Sequence, residues 1–385
     1  MSASVSDGLA SQLHEHATSP VAGAHRIVVK VGSSSLTGAD GFLDELALQN
    51  LVTALAKKAK TSQMVLVTSG AVAAGLRPLG YEKRPADIAS VQAAASVGQV
   101  NLVAAYANAF ARHGLLIGQV LLTADDTVRR RRYDNAQRAL TCLLEQGVVP
   151  IINENDAVTT KELKFGDNDR LAALVALLVR ADALVLLTDV AGLFDRNPSD
   201  PWARRIPYVE NLADIADVQV TAPGSSVGTG GMITKLDAAR IATASGIPVL
   251  LASASAAAAA LGGEDIGTVF APVGRRASGR MHWLAHAAKV RGKLILDDGA
   301  AAAIRAGSAS LLAVGVLDYE GEFDAGDPVA LVDGTGKQIA RGLVAFDSVD
   351  LARLLGRNTR WLRVAYGPQY ERPIIHRDDL VITPA

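Results

Sequence analysis

The sequence predicts an α/β fold, an open and mostly parallel sheet sandwiched by helices, followed by a small β-barrel. Between about residues 26 and 270, short runs of Val, Ile and Leu alternate with helix-length stretches, which is the pattern of βαβ units. Hydrophobic residues make up 49% of the 385 residues and aromatics only 4%, a composition suited to Ala-rich helices packed closely on a Val/Ile/Leu sheet. From about residue 289 the alternation gives way to short strands separated by Gly-Asp turns, which marks a second, β-rich module. A chain of this length is long enough for both.

Taken in order, residues 1–25 contain no Lys or Arg and no continuous apolar run. They read as a polar tail and not as a secretory leader. RIVVKV at 26–31 is an apolar run of the kind found in buried parallel strands. It closes on Lys30 and leads into Gly32 and three serines. A glycine there allows a tight turn and close approach of a phosphate to backbone N–H groups. The bland alternative for Lys30 is a strand-ending lysine that reaches solvent.

The helical stretch ALQNLVTALAKKAK follows, then the strand MVLVTSG, then helical residues ending in VQAAASVGQVNLVAAYANAFARHG. After the strand IGQVLLT comes the run Arg129–Arg132, which reads as a solvated helix start or a subunit contact before a nucleic-acid site. VVPIINEND, LAALVALLV, ALVLLTD and PVLLAS complete the alternation. The stretch from Leu171 to Leu187 is the most hydrophobic, but Arg180 and Asp182 interrupt it. Such charges are costly in lipid, so a helix, turn and strand in a soluble, cytoplasmic protein are expected.

Residues 271–288 gather Pro, Gly and Arg and read as a linker. The β-rich module spans 289–367, with one short helix expected in the Ala-rich tract after Gly299, and 368–385 read as a C-terminal tail. The net charge of −1 gives no global pull toward nucleic acid or anionic membrane. Cys142 is the single cysteine. It permits no internal disulfide, and its apolar helical setting predicts a buried thiol.

Five segments place unusual polar residues where strands end or helices begin. VTSGA carries Thr68, Ser69 and Gly70; INEND carries Asn153, Glu154, Asn155 and Asp156; FGDNDRL carries Asp167, Asn168, Asp169 and Arg170. LLTD carries Thr188 and Asp189, and SSVGTGGMITK carries Gly228, Thr229, Gly230, Gly231 and Lys235. Ligands of open parallel sheets bind beyond the carboxyl ends of the strands. Consecutive glycines before a helix make an anion site from free N–H groups and the helix dipole, and Lys235 falls one turn in.

This is neither a Walker A spacing nor GxGxxG in a first βαβ unit. With GSSS and Lys30, it could enclose a triphosphate from two sides. Ser69, Asp156 and Asn168 suit the ammonium and carboxylate of a small amino acid, and Asp169 could hold the two lysines by charge. Plain Asx turns remain the alternative for NEND and GDND, and a flexible loop for GTGGM. No metal-ligand spacing and no Ser/His/Asp or Cys/His set stands out. A carboxylate acceptor needs no general base, because with a pKa near ~4.3 it is already ionised at neutral pH.

VVKVGSSSLT, VTSGAVAAG, INENDAV, FGDND, LLTDVAGLF and GTGGMITK, in that order, resemble the amino acid kinase family. The resemblance implies the amino acid kinase fold over residues 26–270, and transfer of phosphate from ATP, with Mg2+, to the side-chain carboxylate of L-glutamate. It implies Lys30 and Lys235 as the catalytic lysines and Asp169 as their organiser. Ser69, Asp156 and Asn168 become glutamate-binding residues. The nucleotide contacts become Lys30, Gly32, Thr188, Asp189, Thr229, Gly230, Gly231, Met232, Ile233, Thr234 and Lys235. Feedback inhibition by proline, delivery of a labile product to glutamyl phosphate reductase, and a homo-oligomer are further implications.

The module that begins at KLILDDG resembles a PUA domain, a small barrel that binds RNA in modification enzymes. Residues 287–350 hold six Lys and Arg against ten Asp and Glu, a net of −4. That is the wrong sign for a phosphate surface, so RNA is not an expected partner.

Overall fold

The computed structural model describes residues 19–38, 40–123, 126–127, 130–157, 168–215, 231–273, 284, 290–307 and 309–383. The chain divides into two compact units, Met1–Ala124 with Asn135–Arg276, and Asp125–Asp134 with Ala277–Ala385.

The first unit is built on an eight-stranded sheet. Its strands are β1 (Arg26–Val31), β2 (Gln63–Val67), β3 (Ile117–Leu122), β4 (Val149–Glu154) and β5 (Ala183–Thr188). A small two-stranded ribbon, β6 (Leu193–Phe194) with β7 (Arg205–Ile206), intervenes before β8 (Tyr208–Val209), β9 (Val249–Ser253) and β10 (Thr268–Phe270). The order across the sheet is β3-β4-β2-β1-β5-β9-β10-β8. Every neighbouring pair is parallel except β9 with β10. Seven helices accompany it among the described residues: α1 (Glu45–Ala59), α2 (Ala71–Leu76), α3 (Ile88–Ala111), α4 (Arg130–Glu145), α5 (Asn168–Leu178), α6 (Met232–Ala244) and α7 (Ala257–Gly262).

Strands β4 and β5 are buried along their whole length, as a parallel sheet covered on both faces requires. Ile27, Val29 and Val31 of β1 share one core cluster with Leu48, Leu51, Val52 and Leu55 of α1. Leu102, Tyr106 and Phe110 of α3 belong to the same cluster. Helix α3 is the one described helix with the length and hydropathy to cross a membrane, but its buried stripe belongs to this core. In α5 every residue from Leu171 to Leu178 is buried. An all-round apolar helix is the mark of a core position, and α5 is the element that carries Asn168 and Asp169.

Helices α2 and α3 touch backbone to backbone. A Cβ on Gly75 would lie 1.9 Å from the Ala94 carbonyl oxygen, and one on Gly98 would lie 1.8 Å from that of Ala71. Neither backbone can yield without moving a whole helix. Gly98→Ala is expected to destabilise the unit by about 1–3 kcal/mol through overpacking, measured by denaturant unfolding. It should also impair turnover, because α2 begins directly after Ser69 and Gly70.

The second unit has its own five-stranded sheet in the order β12-β11-β13-β14-β15. The strands are β11 (Gly292–Leu296), β12 (Val316–Glu320), β13 (Pro328–Val332), β14 (Gln338–Leu343) and β15 (Leu380–Ile382). The expected helix after Gly299 is α8 (Asp298–Arg305), capped by the Asp297 side chain, which accepts from Ala300 N–H. Helices α9 (Ser348–Leu354) and α10 (Thr359–Tyr366) follow.

Three expectations need correction. The tail expected at 368–385 is not one over its described residues, 368–383, since Ile374 and Ile375 are fully buried and β15 pairs with β14. At the other end, Val21 is fully buried in the first core, and its carbonyl accepts from Lys58 Nζ at 2.9 Å. Cys142 is exposed. Leu140 and Leu144 of α4 face inward, and a residue midway between them points to the opposite side of a helix. Charge in the second unit is also uneven, because residues 351–377 hold six Arg and one Glu.

Candidate active site

The site assembles where β1, β2, β4 and β5 end. Lys30 pairs with Val67 and Leu186 in the sheet register, and Val67 pairs with Ile152. The polar residues that follow these strands therefore emerge along one edge.

At its centre is Asp169, fully buried in the first turn of α5. Its Oδ1 lies 2.5 Å from Lys30 Nζ, and its Oδ2 lies 3.3 Å from Lys235 Nζ. Thr234 Oγ1 donates to Oδ2 at 3.0 Å. Both lysines are themselves buried, with 3% and 7% exposure. Burial by itself would push the Asp169 carboxyl up. Attraction to Lys30 and then Lys235, with hydrogen bonds from Lys30 and Thr234, outweighs it and holds the acid below the usual carboxylate range. The positive end of the α5 dipole acts in the same direction. Two buried ammonium groups brought to one carboxylate form a site that favours an anion beside it.

At Gly32 the backbone torsion does not call for glycine. Its φ is −79°, which any residue can adopt. A Cβ there would stand 3.6 Å from Lys30 Nζ, so the missing side chain leaves space beside the ammonium. The serines form a short 3-10 turn, Ser33–Ser35.

Asn168, one residue before Asp169, ties the other half together. Its Nδ2 donates to the Thr68 carbonyl at 2.8 Å, and it lies 2.7 Å from Ser69 Oγ and 3.1 Å from Asn153 Oδ1. The Thr68 carbonyl can only accept, so it fixes which way the amide faces. Asn153 is fixed likewise, because its Oδ1 accepts from the Glu154 backbone N–H at 2.9 Å. Asn153 Nδ2 donates to Gln99 Oε1 at 2.9 Å, and Thr68 Oγ1 meets the Tyr106 hydroxyl at 2.8 Å. Asn168 Oδ1 is buried and accepts no hydrogen bond among the described residues.

Gly70 caps α2 with φ +103°, a left-handed conformation that glycine adopts without strain. Ser69 and Asp156 are half-buried. On the nucleotide side, Thr188 Oγ1 donates to Asp189 Oδ1 at 2.9 Å. Gly231 caps α6 without a side chain, and Met232, Ile233 and Thr234 form its first turn. Thr229 and Gly230 lie outside the described residues, as do Gly228 and Asp167.

Sequence reasoning did not assign roles to Gln99, Tyr106, Thr68 or Asn153. A signal existed for two of them. Gln99, Leu102, Tyr106 and Phe110 lie on one buried stripe of α3, and a buried Gln and Tyr on such a stripe need polar partners.

Residues 25–253 match the amino acid kinase family, and residues 292–363 match the PUA domain. The chain belongs to the amino acid kinase family. This amino acid kinase is 55% identical over 364 residues to a glutamate 5-kinase of Bifidobacterium longum subsp. infantis, covering 94% of this chain and 97% of that one. It is 57% identical over 361 residues to a glutamate 5-kinase of Streptomyces coelicolor, covering 93% and 96%. A glutamate 5-kinase of Thermobifida fusca is 55% identical over 365 residues, covering 94% of both chains. The fold of this kinase is therefore the family's mostly parallel sheet flanked by helices, with a PUA domain on a sheet of its own.

Proposed function

We propose that this kinase transfers the γ-phosphoryl group of ATP to the side-chain carboxylate of L-glutamate, giving L-glutamyl 5-phosphate and ADP. The observation that carries the reading is the adjacency of Asn168 and Asp169. One peptide bond joins an amide node, whose Oδ1 has no partner among the described residues, to a carboxylate that holds two buried lysines. An amino acid and a migrating phosphoryl group would thus be held side by side. The relatives named above carry this activity in their names.

In this reading the Asn168 Oδ1 and Asp156 carboxylate take the substrate ammonium, and Ser69 Oγ takes a carboxylate oxygen. The acceptor carboxylate attacks already ionised. Catalysis then rests on alignment and on neutralising charge at the transferring group. Lys30 and Lys235 supply positive charge, and the α6 N-terminus orients amides toward the phosphates. Thr188, Asp189 and residues 229–234 border the nucleotide. Mg2+, when bound, adds neutralisation on the phosphates.

Feedback inhibition by proline at the glutamate site, a cytoplasmic homo-oligomer, and onward use of the product by glutamyl phosphate reductase belong to the same proposal. RNA does not, despite the Arg-rich stretch 351–377; a salt-sensitive gel shift with the PUA unit would reverse that. An ADP-release assay with L-glutamate, L-aspartate, N-acetyl-L-glutamate and carbamate tests the substrate. Turnover with one of the last three and none with glutamate would overturn the reading. Asp156→Ala is expected to raise the glutamate KM about 10- to 100-fold, the cost of one charge-assisted hydrogen bond, with a smaller effect on kcat.

A further inference from the structure

At the amino ends of the strands lies a cavity of about 330 Å³ that the kinase reaction does not use. Strand β1 alone places Arg26, at its wall, roughly 13 Å from Lys30 along the strand. Three of the nine residues lining the cavity are arginines, drawn from separate places: Arg26 at the start of β1, Arg138 on α4 and Arg180 in the turn between α5 and β5. Glu145 is the one acidic lining residue, so the wall carries surplus positive charge.

Two of these arginines are held in ways that packing alone does not call for. Arg26 is pinned: its Nε donates to Gln63 Oε1 at 2.8 Å and its Nη1 to the Val179 carbonyl at 2.5 Å. Those bonds use two of the five N–H groups of a guanidinium, and no other side-chain bond of Arg26 is made among the described residues. Arg180 has φ +53° and is the one non-glycine residue with positive φ among the described residues. Such a position past a helix end is usually filled by Gly or Asn, and a bulky side chain there stores strain of the kind found at ligand sites. Its guanidinium makes no hydrogen bond or ion pair among the described residues. The α5 dipole accounts for a cation near this helix end, but not for three lining one hollow, one of them, Arg138, also donating to Asn135 Oδ1 at 2.7 Å.

We propose that this cavity binds a small phosphate-bearing anion. Guanidinium forks match phosphate oxygens, and the Thr141 hydroxyl on the same wall is a further donor. The site is separate from the catalytic lysines, and the proposal does not depend on which amino acid the kinase phosphorylates.

Cys142, the chain's single cysteine, is exposed and lines the same cavity, so its reaction with an uncharged maleimide reports occupancy. The probe is inorganic phosphate, with chloride holding ionic strength constant, on the full chain. Phosphate is expected to slow labelling. Arg180→Gly also relaxes the backbone, and should keep the fold and turnover. It should raise the phosphate concentration for half-protection about tenfold or more, through loss of charge-assisted hydrogen bonds. Labelling indifferent to phosphate up to tens of millimolar overturns the proposal. So does equal protection in Arg180→Gly, and so does a thiol that never reacts in the native protein.

Discussion

Asp169→Asn is expected to yield a kinase that is both less stable and catalytically inert. The side chain keeps its volume, so no cavity arises. The charge that holds Lys30 and Lys235 disappears, and two buried ammonium groups each lose a carboxylate partner. Removing one partner from a buried ionic cluster costs about 3–5 kcal/mol. For a unit of this size that lowers Tm by roughly 6–20 °C, read by thermal unfolding. Turnover should fall at least about 10²- to 10³-fold, because neither lysine is aimed.

The pH dependence gives a second readout. The Asp169 carboxyl is lowered from its ordinary value of 3.8. Its contribution is therefore complete above that value and is lost as pH falls through the lowered folded value. The stability gap between wild type and Asp169→Asn should shrink as pH drops below 3.8. A gap that stays constant into strong acid would show that the carboxylate is not what holds the lysines.

Lys30→Ala is the second large effect. The ammonium is fixed 2.5 Å from Asp169, and no Cβ at position 32 covers it. Removing it leaves Asp169 still paired with Lys235. Folding should survive. kcat is expected to fall about 10²- to 10³-fold, while the glutamate KM changes little, since the amide node at Asn168 is intact. Steady-state kinetics separate the two parameters. Normal turnover by Lys30→Ala would remove the lysine from the chemistry.

Much of this was legible in the sequence, for identifiable reasons. Lys30 stands out because an apolar strand rarely ends on a buried amine, and GTGGM because glycines ahead of a helix are conspicuous. The strand-helix alternation predicts the sheet because parallel strands buried on both faces are continuous apolar runs. What stayed hidden depended on distance along the chain. Asn153 meets Gln99 across 54 residues, and Asn168 meets Thr68 across 100. No local pattern encodes such pairs; the register of β2 on β4 and the seat of α3 on the sheet create them. Of the two uses the sequence suggests for Gly32, the φ of −79° does not require glycine, and the space beside Lys30 remains. The residues after 368 look like a tail because β15 is three residues long, too short to show a period.

The junction at residues 168–169 has a consequence for engineering. Because adjacent positions anchor the two reactants, a shift of α5 along its axis retunes recognition and rate in one stroke. A change of acceptor acid is therefore better sought in the loop around Asp156, which leaves that shared hinge point alone.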